Sequence, residues 1–253
     1  MRENREFPTR FGTMKYYVEG GGEEFAVMLQ GWATDRSLYD SIVKALARKY
    51  TVIFPAFLGF GESGEPNQPM SVSDYAEAVN DLLSHLNVKK ADFFCHSYGG
   101  RVFFKLNALE DRYTEPVRVI LCDVAGIVPR RSLLRRAKMR IFKFGKKIFP
   151  SLAKKLRSRA GSADYNAASE TMKQTLILAV NEDLRHLFPS ITASTLIMWG
   201  RHDDAVPLSD AYLIESSVSD SAVVVFENSS HFPFITEEAR FLSVVRSFFS
   251  IER

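Results

Sequence analysis

With 253 residues, of which 46% are hydrophobic and 25% charged, the chain has the balance of a soluble globular protein and the length to bury one large core. This excludes a disordered polar chain and a membrane-embedded one: no run approaches the roughly 20 apolar residues of a membrane span, and the charged N-terminus leads into no apolar signal segment, so a cytoplasmic protein is expected. The net charge of +3 hides a division, because residues 127–163 carry thirteen Lys or Arg and no Asp or Glu, which leaves an acidic remainder.

In chain order, residues 14–18 read as a strand, and Gly20, Gly21 and Gly22 as its hairpin turn. Short apolar runs at 25–29, 51–54, 92–95, 117–121, 195–199 and 222–226 are further strands. Between them, 37–49 and 73–86 place apolar residues at helical spacing, with Ser71 and Ser73 both candidate N-caps. That alternation predicts an α/β fold, a mostly parallel sheet flanked by helices. The rhythm breaks between 121 and 195, too long for a structureless loop. There Leu134, Ala137, Ile141, Phe144 and Ile148 recur at helical spacing among lysines and arginines, up to Pro150, which predicts a basic amphipathic helix. A second short basic helix is expected over 152–159 and a third over 167–180. The two cysteines, Cys95 and Cys122, are expected to be reduced thiols.

Chemistry concentrates in residues 92–100, DFFCHSYGG, where an apolar strand meets a small-residue turn and a helix beginning near Tyr98. A serine at such an elbow is thrust above the sheet edge, within reach of both substrate and base. Gly99 supplies the trailing glycine of the Gly-x-Ser-x-Gly pattern, while Cys95 stands where the leading glycine is usual and is expected to pack rather than attack. A serine hydroxyl needs a base to take its proton, and that base needs an orienting acid. The segment WGRHDDAVP, 199–207, puts Asp203 in the loop after one strand, and ENSSHFPF, 227–234, puts His231 in the loop after the next. Asp123, ending the run 117–122, is a second candidate acid. Asp204 is expected to face solvent or cap a turn, and His96 to pack and hydrogen-bond locally. His85, His186 and His202 have no partner pattern, and no spacing of His, Cys or carboxylates suggests a metal.

With these residues in order, the chain resembles the α/β-hydrolases that carry a cap domain. Gly200, Asp203 and Pro207 resemble the family's acid loop, and His231 with Phe232 its histidine loop. Residues 57–63, FLGFGES, resemble the Pro-Gly-x-Gly-x-Ser turn with Leu58 in place of proline, and 30–33, QGWA, the His-Gly loop with Gln30 in place of histidine. The resemblance implies a core of residues 1–126 and 191–253, with a helical cap, 127–190, inserted after the sixth core strand. It also assigns an oxyanion hole to the backbone N–H groups of Trp32 and Tyr98. Serine at position 97 sets the chain apart from the dehalogenase and epoxide hydrolase branches, which place an aspartate there.

The expected chemistry is two-step acyl transfer to water by Ser97, with His231 as base, Asp203 orienting it and no cofactor. The substrate is expected to be a small acyl compound, with a carboxylesterase foremost among ester, thioester, amide and carbon–carbon hydrolases of this fold. Leu134, Ile141, Phe144 and Phe232 are expected to line its pocket, and the basic cap to attract an anionic substrate end. Two other readings stay open: a ligand-binding protein that does not turn its ligand over, and a cap that contacts an anionic membrane surface. Nucleic acid is not an expected partner, and the sequence does not fix the oligomeric state.

Overall fold

Runs of Val, Ile and Phe bounded by glycine and polar turns form strands because branched and aromatic side chains pack well on a pleated surface. The computed structural model describes residues 3–128 and 168–252. Its strands are β1 Glu3–Thr9, β2 Gly12–Gly20, β3 Glu24–Leu29, β4 Tyr50–Pro55, β5 Lys90–His96, β6 Glu115–Cys122, β7 Ser194–Gly200 and β8 Ser221–Phe226. All eight join one sheet in the order β1-β2-β4-β3-β5-β6-β7-β8. The pairs β1/β2 and β2/β4 are antiparallel, and every other pair is parallel.

Successive side chains of a strand point to opposite faces, and the core divides accordingly. Val27, Leu29, Phe93, Cys95, Val119, Leu121, Ile197 and Trp199 belong to one hydrophobic cluster. Their neighbours Ala26, Met28, Phe94, Ile120, Cys122, Leu196 and Met198 belong to the other. The helices are α1 Asp40–Leu46, α2 Val72–His85, α3 Tyr98–Asn107, α4 Glu170–Asn181, α5 Leu208–Glu215, α6 Pro233–Thr236 and α7 Glu238–Phe248. Residues of α2, α3, α4 and α5 cover the first face, and residues of α1, α6 and α7 the second. The expected architecture, a mostly parallel α/β sheet flanked by helices, is the one observed.

Three local readings change. The charged segment 3–9, to which the sequence pattern assigns no element, is strand β1, and the hairpin is β1 with β2 through Arg10 and Phe11. The glycines after β2 do not turn a hairpin. They carry the chain past β4, which lies between β2 and β3, and Gly20 takes φ +96° where a Cβ would sit 2.2 Å from the Tyr50 carbonyl. The helix expected over 37–49 begins as a 3-10 turn, Arg36–Tyr39, capped by the Asp35 side chain. Of the two candidate caps for α2, Ser71 does the work: its side chain accepts the Asp74 N–H while Asp74 reaches back to the Ser71 N–H. The helix expected over 167–180 is α4, N-capped by Ser169. Residues 129–167, including Leu134, Ile141, Phe144 and both basic helices expected there, lie outside the described residues. Among the described residues no helix is long and apolar enough to cross a membrane.

Candidate active site

The carboxyl ends of the parallel strands collect the chemistry-bearing loops. Ser97 follows β5 at φ +50° and ψ −111°, the left-handed side of the backbone map that L residues rarely occupy. The bend is held on both sides of the peptide, since Ser97 N–H donates to the Cys122 carbonyl at 3.1 Å and the Ser97 carbonyl accepts Gly100 N–H at 3.1 Å and Ala125 N–H at 2.9 Å. Directly beyond it α3 runs close against β3, and a Cβ on Gly99 would lie 2.1 Å from the Leu29 carbonyl oxygen. Only glycine allows that approach. Cys95 is buried in the core, where burial pushes its thiol well above its ordinary value and keeps it protonated.

His231 lies in the loop after β8, with its ring between two partners. Its Nε2 stands 2.9 Å from Ser97 Oγ, and its Nδ1 2.7 Å from Asp203 Oδ2. Asp203, in the loop after β7, accepts the N–H groups of Ala205 at 2.7 Å and Val206 at 3.0 Å on its other oxygen. Burial raises the Asp203 carboxyl, but the hydrogen bond from His231 and those backbone donors outweigh it and bring it below its usual value. It is an ionised acceptor, so Nδ1 carries the ring proton and Nε2 presents its lone pair to the serine hydroxyl. The structure thus brings together the three residues that were scattered over loops of the sequence.

Asp123 comes from the end of β6 and is fully buried. One oxygen accepts Gly200 N–H at 2.9 Å and the other faces Cys122 Sγ at 3.3 Å. Burial first, and then the Asp203 charge, raise its carboxyl well above the usual range, so it stays protonated beneath an ionised neighbour. Asp203, not Asp123, holds the hydrogen bond to His231. Asp123, Asp203 and His231 offer ligand-type atoms within 4.8 Å of one another, and Asp203 and His231 are already hydrogen-bonded to each other.

Gln30, Gly31 and Trp32 follow β3. The Gln30 side chain donates to the Thr34 carbonyl at 2.7 Å and so braces the loop from within. The Trp32 ring meets Tyr98 edge-on at 5.3 Å and Phe60 at 4.8 Å. Tyr98 opens α3, a position whose N–H has no carbonyl partner within the helix. Phe232 packs against His231 at 5.1 Å and His96 at 5.2 Å, flanking the imidazole. Two supporting residues escaped the sequence reading. Tyr39 receives Gly31 N–H on its hydroxyl at 2.9 Å, and Glu237 accepts from Asn228 N–H at 3.0 Å and Ser229 Oγ at 2.8 Å, tying down the histidine loop. Tyr39 lies on the 3-10 turn and Glu237 in the turn between α6 and α7, neither within a motif, and each acts through a fold contact that spacing does not reveal.

The model of the alpha/beta hydrolase family matches residues 26–244. The chain belongs to the alpha/beta hydrolase family. Among its relatives is the pimeloyl-(acyl-carrier protein) methyl ester esterase of Aliivibrio fischeri, 23% identical over 92% of this chain and 96% of that protein. Among solved structures, a hydrolase from Pseudomonas aeruginosa superposes with a TM-score of 0.76 at 21% identity, covering 98% of both chains. An esterase from Exiguobacterium antarcticum does so with a TM-score of 0.73 at 23% identity, covering 94% of this chain and 96% of its own. At such identities the two structures establish that this alpha/beta hydrolase shares their fold.

Proposed function

We propose that this alpha/beta hydrolase is a serine esterase that cleaves a small, partly apolar ester or thioester through an acyl-enzyme, with Ser97, His231 and Asp203 as its catalytic triad. One observation carries this: the unbroken hydrogen-bonded series from Ser97 Oγ through His231 to Asp203, at 2.9 and 2.7 Å. His231 Nε2 takes the hydroxyl proton as Oγ attacks the carbonyl carbon, and Asp203 stabilises the imidazolium that results. The carbonyl oxygen, now negative, is held by the N–H groups of Trp32 and Tyr98, donors fixed before the reaction begins. Collapse expels the alcohol or thiol, which leaves with the proton from Nε2. Water then attacks the acyl-enzyme with Nε2 as base, and Ser97 is regenerated.

The test is a panel of p-nitrophenyl acyl esters and acyl-CoA thioesters, together with labelling by a fluorophosphonate and mass spectrometry of the labelled peptide. Turnover of at least one ester, with phosphonylation at Ser97, is the expected result. Hydrolysis retained by a contaminant-free Ser97→Ala protein overturns the assignment.

A further inference from the structure

A buried imidazole beside the triad has no part in the proton transfers. His96 ends β5, is 1% exposed, and its ring lies 5.0 Å from that of His231. Both of its nitrogens are engaged: Nε2 is 3.0 Å from the His231 backbone carbonyl oxygen and Nδ1 is 2.9 Å from the Tyr39 hydroxyl. A carbonyl only accepts, so Nε2 carries the hydrogen. Burial, reinforced by His231, pushes the ring down to about 3, so it is neutral and Nδ1 is an acceptor. Tyr39 therefore donates its hydroxyl hydrogen to His96, while its oxygen accepts Gly31 N–H at 2.9 Å. The Gly31 backbone lies against the ring itself, since a Cβ there would come within 2.9 Å of His96 Nδ1.

These contacts form one directed chain. It starts at Gly31 N–H, next to Trp32, passes through the Tyr39 hydroxyl and the His96 ring, and ends on the carbonyl of His231. We infer that His96 and Tyr39 are a positioning pair that fixes the distance between the oxyanion loop and the general base, neither of them touching substrate. The inference rests on the esterase reading above. An imidazole suits the task because it accepts at one edge and donates at the other, across a rigid ring. Because it is neutral, the link keeps one tautomer through the range in which the general base must work.

The experiment measures steady-state kinetics and the fluorophosphonate labelling rate for Tyr39→Phe, His96→Asn and the double variant, with melting temperatures for each. Misplacing reacting groups by about 1 Å costs on the order of a hundredfold. The single variants are expected to lose about ten- to a hundredfold in kcat and in labelling rate with KM held within about twofold, and the double variant to be no worse than the poorer single one. Lower melting temperatures with wild-type kcat would make the pair purely structural and overturn the inference. Absence of Ser97 labelling in the wild type overturns the esterase reading instead. Nitrogen-15 imidazole NMR of the unaltered protein decides independently of how the variants fold: His96 must show the Nε2–H tautomer and not titrate between pH 5 and 8, and the Nδ1–H tautomer or a titration in that range rejects the chain.

Discussion

Ser97 holds its hydroxyl over the sheet edge only by keeping a backbone well that costs a non-glycine residue on the order of 1–3 kcal/mol. Ser97→Gly should therefore raise stability by about 1 kcal/mol while abolishing turnover, a pairing that thermal denaturation and an esterase assay check together. Asp203→Asn deprives His231 of the acceptor that fixes its tautomer and should lower kcat by roughly 10⁴-fold, whereas Asp123→Asn, replacing one neutral group by another, should be mild. The reverse ranking would move the acid to the end of β6. The two buried groups also oppose each other in pH. His96 is neutral in the fold but takes a proton below about 6.5 once unfolded, so its contribution is complete above that value and is lost as pH falls toward about 3. Asp123, raised in the fold, contributes fully below its unfolded value of 3.8, and that contribution is lost as pH rises toward its folded value. Melting temperature against pH should accordingly show an alkaline-side decline that Asp123→Asn flattens.

At the scale of elements, glycine and caps set tight limits. Gly99→Ala forces α3 away from β3 and should destabilise by several kcal/mol, since the clash is with backbone rather than with a flexible side chain. Ser71→Ala removes one half of the capping box of α2 and should cost about 1 kcal/mol by denaturant unfolding, with kcat unchanged because α2 supplies no group to the triad. Elements that obey a single period were legible in the sequence: the apolar runs at 92–95, 195–199 and 222–226 are β5, β7 and β8, and the elbow and both loops follow from them. Strand β1 was not, because ENREFPT has charges on an edge strand where only one neighbour pairs with it. Nor was the placement of β4 between β2 and β3, which strand pairing and not local pattern decides, nor the support that Tyr39 and Glu237 give the loops, which rests on side-chain contacts that carry no motif.

For the whole molecule, the sequence sets the thirteen cations of residues 127–163 apart from an acidic remainder, and the charge asymmetry is a property of sequence alone. If that segment steers substrate to Ser97, kcat/KM for anionic esters should fall as salt shortens the screening length toward ~8 Å, while neutral analogues change little; equal responses would remove any steering role. Ser97 hangs on central β5, but His231 hangs on β8, a mostly half-buried edge strand that, among the described residues, pairs with β7 alone. An edge of this kind opens at a lower free energy than the centre of a sheet. Catalytic competence is therefore more fragile than the fold that carries it: heat should silence the enzyme while most of the sheet is intact, and refolding chains should recover their circular dichroism before their activity.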